Sequence, residues 1–226
     1  MAIDMRIIFE EKTFLVCVKP AGVLSQAGAG ENMPALLRGA VGGEIFPVHR
    51  LDTPASGLMV FAKTAAAAAA LSRQVSAGDT EKEYFCVTHG TPENDGGTLT
   101  DLLFKDSRKN KSYVVARPRR GVKEARLSYT LLGATAREGS PYSLMRIKLD
   151  TGRTHQIRVQ FASRRMPLAG DGKYGAADNF HTLALWSCRL GFLHPESGEP
   201  LSFFVPPPSE APWNWFPPDA YAFAEN

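Results

Sequence analysis

Within the four residues His49-Arg50-Leu51-Asp52 the chain supplies an imidazole, a guanidinium and a carboxylate. Thr53-Pro54-Ala55-Ser56-Gly57 follows, rich in turn formers, and then Leu58-Met-Val-Phe-Ala62, a short apolar run of the kind that forms a fully buried strand. Asp52 is therefore expected in a turn that feeds a core strand. Connecting segments held by a rigid scaffold carry chemistry disproportionately, and an ionised carboxylate in such a place can act as a nucleophile. Arg50 lies two residues before Asp52, so in an extended approach both side chains point the same way. A structural turn, with Asp, Ser and Gly serving backbone geometry alone, fits the same residues. The turn by itself does not separate the two readings.

A second cluster sits in Asp150-Thr-Gly-Arg153-Thr-His155-Gln156-Ile-Arg158-Val-Gln160-Phe161. Gly152 ends a strand, Thr154 is placed to cap, and Ile157 with Phe161 makes an i, i+4 apolar pair on a short helix. Arg153, His155 and Arg158 cannot all be buried there without partners, because an isolated interior charge is very costly. They must face solvent or meet an anion, such as Asp52 or a phosphate. Tyr84 falls in Thr80–Gly90, which alternates like a strand, and on pattern alone it is a packing aromatic.

The elements around these clusters are legible in outline. Residues 6–19 read as a strand, a turn at Glu11-Lys12 and a second strand stopped by Lys19-Pro-Ala-Gly22. A short helix fits Pro34–Arg38. Thr64 is placed to cap an Ala-rich helix from Ala65 to about Ser76, ended by Ala77-Gly78. Strands are expected at Ala125–Leu132 and Pro141–Leu149 with a loop over Ala134–Ser140, then at Leu183–Trp186, at Leu190–His194 and after a turn at Glu196–Pro200.

Composition places the chain among globular proteins, with 44% hydrophobic and 22% charged residues in 226. No apolar run reaches the ~18 residues of a membrane span. The N-terminus lacks the form of a signal peptide. Cys17, Cys86 and Cys188 are odd in number, far apart and flanked by apolar residues, which reads as buried free thiols in a reducing compartment. The five histidines show neither HExxH nor a Cys/His pair at zinc spacing, so no metal is expected. Net charge is +3, but Lys105–Arg126 holds nine Lys/Arg against Asp106 and Glu124, leaving the remainder of the chain at −4. Such a concentration is the footprint of a polyanion partner, or else a solvated loop.

His49-Arg-Leu-Asp52 with Ser56-Gly-Leu58 and Phe61-Ala-Lys63 resembles the active-site signature of the RluA class of RNA pseudouridine synthases. Ala55 departs from it, since the family usually has Thr there. Lys82-Glu-Tyr84 resembles the second signature and Thr151–Val159 the third, with Gln160 where a His is usual. The Lys19-Pro-Ala-Gly22 opening, Gly170-Asp-Gly-Lys-Tyr-Gly175, and the closing His194-Pro … Gly198-Glu199 element are similar too, in the family's order over about residues 6–205.

The resemblance implies one α+β domain spanning 1–226, with a tail from 206 and no separate N-terminal RNA-binding domain. Its sheet would be mixed and mostly antiparallel, flanked by helices, with a basic cleft. It implies conversion of uridine to pseudouridine in ribosomal or transfer RNA, without cofactor or metal; the cytoplasm and a monomeric state are defaults that the resemblance does not supply. Asp52 would be the catalyst, either attacking the ribose or removing its 2′ proton. Arg158 would pair with Asp52, and Tyr84 would lie against the base. Arg50, His49, Arg153, His155, Gln156, Lys111, Arg119 and Arg120 would contact RNA. Two rivals are a catalytically silent RNA-binding protein on the same domain, and a glycosidase, which would need a second acid close to Asp52.

Overall fold

A computed structural model describes residues 5–222. In chain order the elements are β1 (Arg6–Glu10), β2 (Phe14–Lys19), α1 (Met33–Val41), β3 (Phe46–Pro47), β4 (Ser56–Ala62), α2 (Ala65–Ala77), β5 (Glu81–His89), β6 (Gly96–Asp106), β7 (Lys111–Val114), β8 (Val122–Arg137), β9 (Ser140–Leu149), α3 (Gln156–Ala162), β10 (Leu185–Leu193) and β11 (Pro200–Phe204). Strands pair mostly antiparallel, β4 with β10 parallel, and α-helices accompany them, so the fold is α+β as expected. None of the described helices is long and apolar enough to cross a membrane.

The chain forms two compact units, one of residues 1–82 and 186–205, the other of 83–185 and 206–226. In the first, β2 is apolar from Phe14 to Val18, closes on Lys19 and is buried end to end. It lies antiparallel between β1 and β4. The opening of β4 pairs parallel with β10, Ser56 opposite Trp186 and Gly57 opposite Ser187. Gly57 is required there: at φ +112 its absent Cβ would lie 2.3 Å from the Ser187 carbonyl oxygen. The Thr64 hydroxyl accepts the Ala67 N–H and Gly78 ends α2 in the left-handed region, the cap and stop expected from sequence. The first helix is longer than Pro34–Arg38, because Asn32 caps it through the Ala35 N–H. The two strands expected at 183–186 and 190–194 are one strand, β10. Ser187 and Cys188 do not interrupt it, since both are buried and continue the ladder.

The second unit is antiparallel throughout, in the order β5-β9-β8-β6-β7. Its hairpin between β8 and β9 is tighter than the loop expected over 134–140. Glu138 and Gly139 both take positive φ, making the two-residue turn that matches strand twist. The basic segment Lys105–Arg126 is largely sheet, occupying the end of β6, all of β7 and the start of β8. Within it Ser112 and Ala125 are buried, as are the flanking Leu103 and Leu127, while Lys105, Lys123 and Arg126 face out. Ser112 and Ala125 are too small or polar to announce an inward stripe, which is why the sequence reads as a loop. From the tail, Trp213, Phe216 and Tyr221 are buried in this unit, Tyr221 edge-on to Phe85 at 5.2 Å. Residues 223–226 lie outside the described part.

Candidate active site

Asp52 stands at the head of a turn closed by the Ala55 N–H on its own carbonyl (3.0 Å). The backbone around it is tied from three sides. The Ser25 hydroxyl donates to the Leu51 carbonyl and accepts the Leu51 N–H, at 2.8 and 3.0 Å. The Thr53 carbonyl accepts from the Gly22 N–H at 2.9 Å and from Lys19 Nζ at 3.0 Å. Lys19 is fully buried, and its other ammonium protons reach the carbonyls of Pro20 (2.7 Å) and Val23 (2.8 Å). One buried cation thus clamps the Lys-Pro-Ala-Gly turn onto the Asp52 turn. Burial lowers its pKa to about 8, opposed by the negative charge of Asp52.

His49 is held by the strand it precedes, its Nε2 accepting the Val60 N–H at 3.0 Å. Burial, reinforced by the charge of Lys82, pushes its pKa down to about 3, so the ring is neutral with its proton on Nδ1. Arg50 is exposed and Asp52 partly so. This half of the motif therefore holds an exposed Arg50 and a partly exposed Asp52 on a backbone with little freedom.

In the second unit Tyr84 is buried in β5 opposite Ile147. Alternation puts it on the face away from Phe85, whose side is covered by Tyr221. The third signature is a turn and a short helix. The Gln156 amide closes the turn, its oxygen accepting from the Thr151 hydroxyl and the Arg153 N–H and its nitrogen donating to the Arg126 carbonyl, all within 3.0 Å. His155, at φ +55, holds the N-cap position before α3, so Thr154 does not cap it. The Thr154 carbonyl instead accepts the Ser112 hydroxyl. Arg158, 4% exposed, makes a bidentate ion pair with Asp171, Nε to Oδ2 at 2.7 Å and Nη2 to Oδ1 at 2.8 Å. Gln160 points inward, donating to Asp101 at 2.7 Å. Arg164, on the same helix's exit, also meets Asp101.

Around this helix the basic side chains are arranged over sheet and turn. Arg153 reaches the Glu124 carbonyl, and Arg119 lies 4.6 Å from the Phe104 ring centre. Lys111 lies 4.9 Å from the ring centre of Tyr174 and donates to the Lys173 carbonyl. Arg119 and Arg120 are exposed.

The RNA pseudouridylate synthase family matches the chain over residues 13–163, a span containing all three signatures. The chain belongs to this family. It is 32% identical to an uncharacterised RNA pseudouridine synthase of Bacillus subtilis, over 92% of this chain and 70% of that protein. It is 33% identical to ribosomal large subunit pseudouridine synthase D of Xanthomonas campestris, over 92% and 67%. With the dual-specificity RNA pseudouridine synthase RluA of Vibrio vulnificus it shares 35% identity, over 88% and 82%. The structure of human RNA pseudouridylate synthase domain containing 1 superposes with a TM-score of 0.79, over 91% of this chain and 84% of that one at 24% identity, which shows a common fold. The protein is thus an RNA pseudouridine synthase, an isomerase.

Within the synthase, two supporting residues went unassigned from sequence. Lys19 was legible only as the start of the Lys-Pro-Ala-Gly stop; its signal is a lysine closing the fully apolar run Phe14–Val18. Asp171 was legible only as part of a glycine-rich loop, and nothing local in that loop connects it to Arg158, thirteen residues earlier.

Proposed function

We propose that Asp52 is the residue on which isomerisation depends, acting on the ribose of a uridine in ribosomal or transfer RNA. The C1′–N1 bond of that nucleotide breaks, the uracil turns, C5 bonds to C1′ and the C5 proton departs. A carboxylate suits either attack on the ribose or removal of a 2′ proton. Tyr84 would lie against the base and help take the C5 proton, and Arg158 would serve the Asp52 carboxylate. The observation that carries the reading is the immobilised turn at Asp52, roped by Lys19, Ser25 and Gly22 yet leaving Asp52 itself partly exposed. A loop with no chemical duty has no need of a buried ammonium to hold it.

The target base must leave its stack, which costs on the order of a few kcal/mol. Arg50, Arg153, Lys111, Arg119 and Arg120 are the side chains we assign to phosphate contact that offsets this cost. His49, His155 and Gln156 support those contacts from behind, as their hydrogen bonds are to the protein. The RNA class rests on names of relatives, which act on the large ribosomal subunit, on transfer RNA, or carry dual specificity. We place the enzyme in the cytoplasm, working as a monomer without cofactor or metal.

Tritium release from C5-labelled ribosomal and transfer RNA tests the reading with purified protein. Wild type releases label from one of these RNAs, while Asp52→Ala binds the same RNA and releases none. Wild-type release by Asp52→Ala would refute the assignment.

A further inference from the structure

Arg158 reaches its orientation through a turn that lies outside the helix carrying it. Asp171 is 1% exposed and presents both carboxylate oxygens to the guanidinium, as two parallel charge-assisted hydrogen bonds. The turn that bears Asp171 is itself fixed. The Asp171 carbonyl accepts the N–H groups of Tyr174 and Ala176, and its own N–H donates to Leu168. Gly170, at φ +77, admits no side chain, because a Cβ would lie 2.1 Å from the Thr182 carbonyl oxygen. Three residues beyond Asp171, Tyr174 sets its ring 5.1 Å from the Arg158 guanidinium. Its hydroxyl meets His155 Nδ1 at 2.9 Å and accepts the Ser112 N–H at 2.8 Å. One turn therefore grips α3 at His155 and Arg158 and ties it to β7, the strand of Lys111.

Buried ion pairs are a poor route to stability, since apolar residues of similar volume hold a core as well or better. What a bidentate pair supplies that apolar packing cannot is a fixed plane and direction for a long, flexible side chain. The geometry points to Asp171 as the positioning residue for Arg158, holding the guanidinium in the orientation that pseudouridine formation uses, with Tyr174 fixing its face. This rests on the catalytic part given to Arg158 above.

The test compares RNA affinity with the single-turnover rate of tritium release for Asp171→Asn, Asp171→Glu, Arg158→Met and the double variant Arg158→Met/Asp171→Asn, each checked for a cooperative thermal transition. The amide removes the charge and turns one acceptor into a donor facing the guanidinium. Asp171→Asn is expected to keep affinity within about threefold and to lose about 100-fold in rate, the cost of a small misplacement of a reacting group. In the Arg158→Met background the same change is expected to add nothing. Should Asp171→Asn not fold, Asp171→Glu decides, since it keeps the counter-ion while displacing it by a methylene: rate loss with affinity retained supports the inference, and wild-type rate overturns it. A folded Asp171→Asn with wild-type rate, or one whose loss persists undiminished in the Arg158→Met background, also overturns it. Wild-type rate in Arg158→Met alone would instead remove the role proposed for Arg158.

Discussion

His49 and Gly57 show how members of a motif can serve the fold itself. His49 caps the Val60 N–H through a neutral ring, and its folded pKa of about 3 lies well below the usual 6.5. An unfolded chain binds a proton there that the folded chain refuses. The stabilising contribution is thus complete above pH 6.5 and is lost as pH falls toward about 3, with a slope of at most about 1.4 kcal/mol per pH unit. His49→Gln, whose amide oxygen can still accept the Val60 N–H, is expected to flatten the pH dependence of urea unfolding between pH 6.5 and 4.5. Equal slopes in both proteins would show that His49 is not the group responsible. Gly57 faces a harder limit, for a methyl group there meets the Ser187 backbone. Gly57→Ala is expected to lower stability by about 3 kcal/mol, through strain at positive φ and displacement of β10 from β4. A change in thermal midpoint too small to measure would mean that the parallel pairing is softer than the structure indicates.

At the scale of elements, the basic hairpins of β6, β7 and β8 are where RNA affinity should reside. Lys111→Glu/Arg119→Glu/Arg120→Glu is expected to weaken RNA binding at least tenfold near physiological salt and to reduce the slope of log affinity against log salt, leaving the unfolding midpoint near wild type. Unchanged affinity across a salt titration would take this segment out of RNA recognition. The charge of that segment is visible in sequence, but its strands are not, because Ser112 and Ala125 supply the inward positions that Val or Ile would normally mark. Signals that act over three or four residues were readable: Thr64 and Gly78 bounding α2, or the apolar run of β2. Contacts that join distant turns were not. Lys19 with Thr53 spans 34 residues, and no spacing rule announces such a clamp. The same holds for Asp171 with Arg158, where the resemblance marked both motifs and only the fold joins them. Two strands read from 183–194 merged into one because the polar residues at their junction are buried in the ladder.

For the whole molecule, the fold persists where sequence has drifted, at a TM-score of 0.79 with 24% identity to the human structure. The part of the chain that matches the family, residues 13–163, holds Asp52, Tyr84 and Arg158. A chain of net charge +3 that concentrates its positive charge in one segment is built to meet a polyanion locally rather than to coat it. The most direct measurement is a map of pseudouridine in total RNA from the native host in three strains: wild type, one deleted for the gene, and the deletion complemented with Asp52→Ala at wild-type protein level. One or a few uridines in ribosomal or transfer RNA are predicted to lose modification on deletion and to stay unmodified with Asp52→Ala. Restoration of those sites by the Asp52→Ala protein would contradict the central role of Asp52.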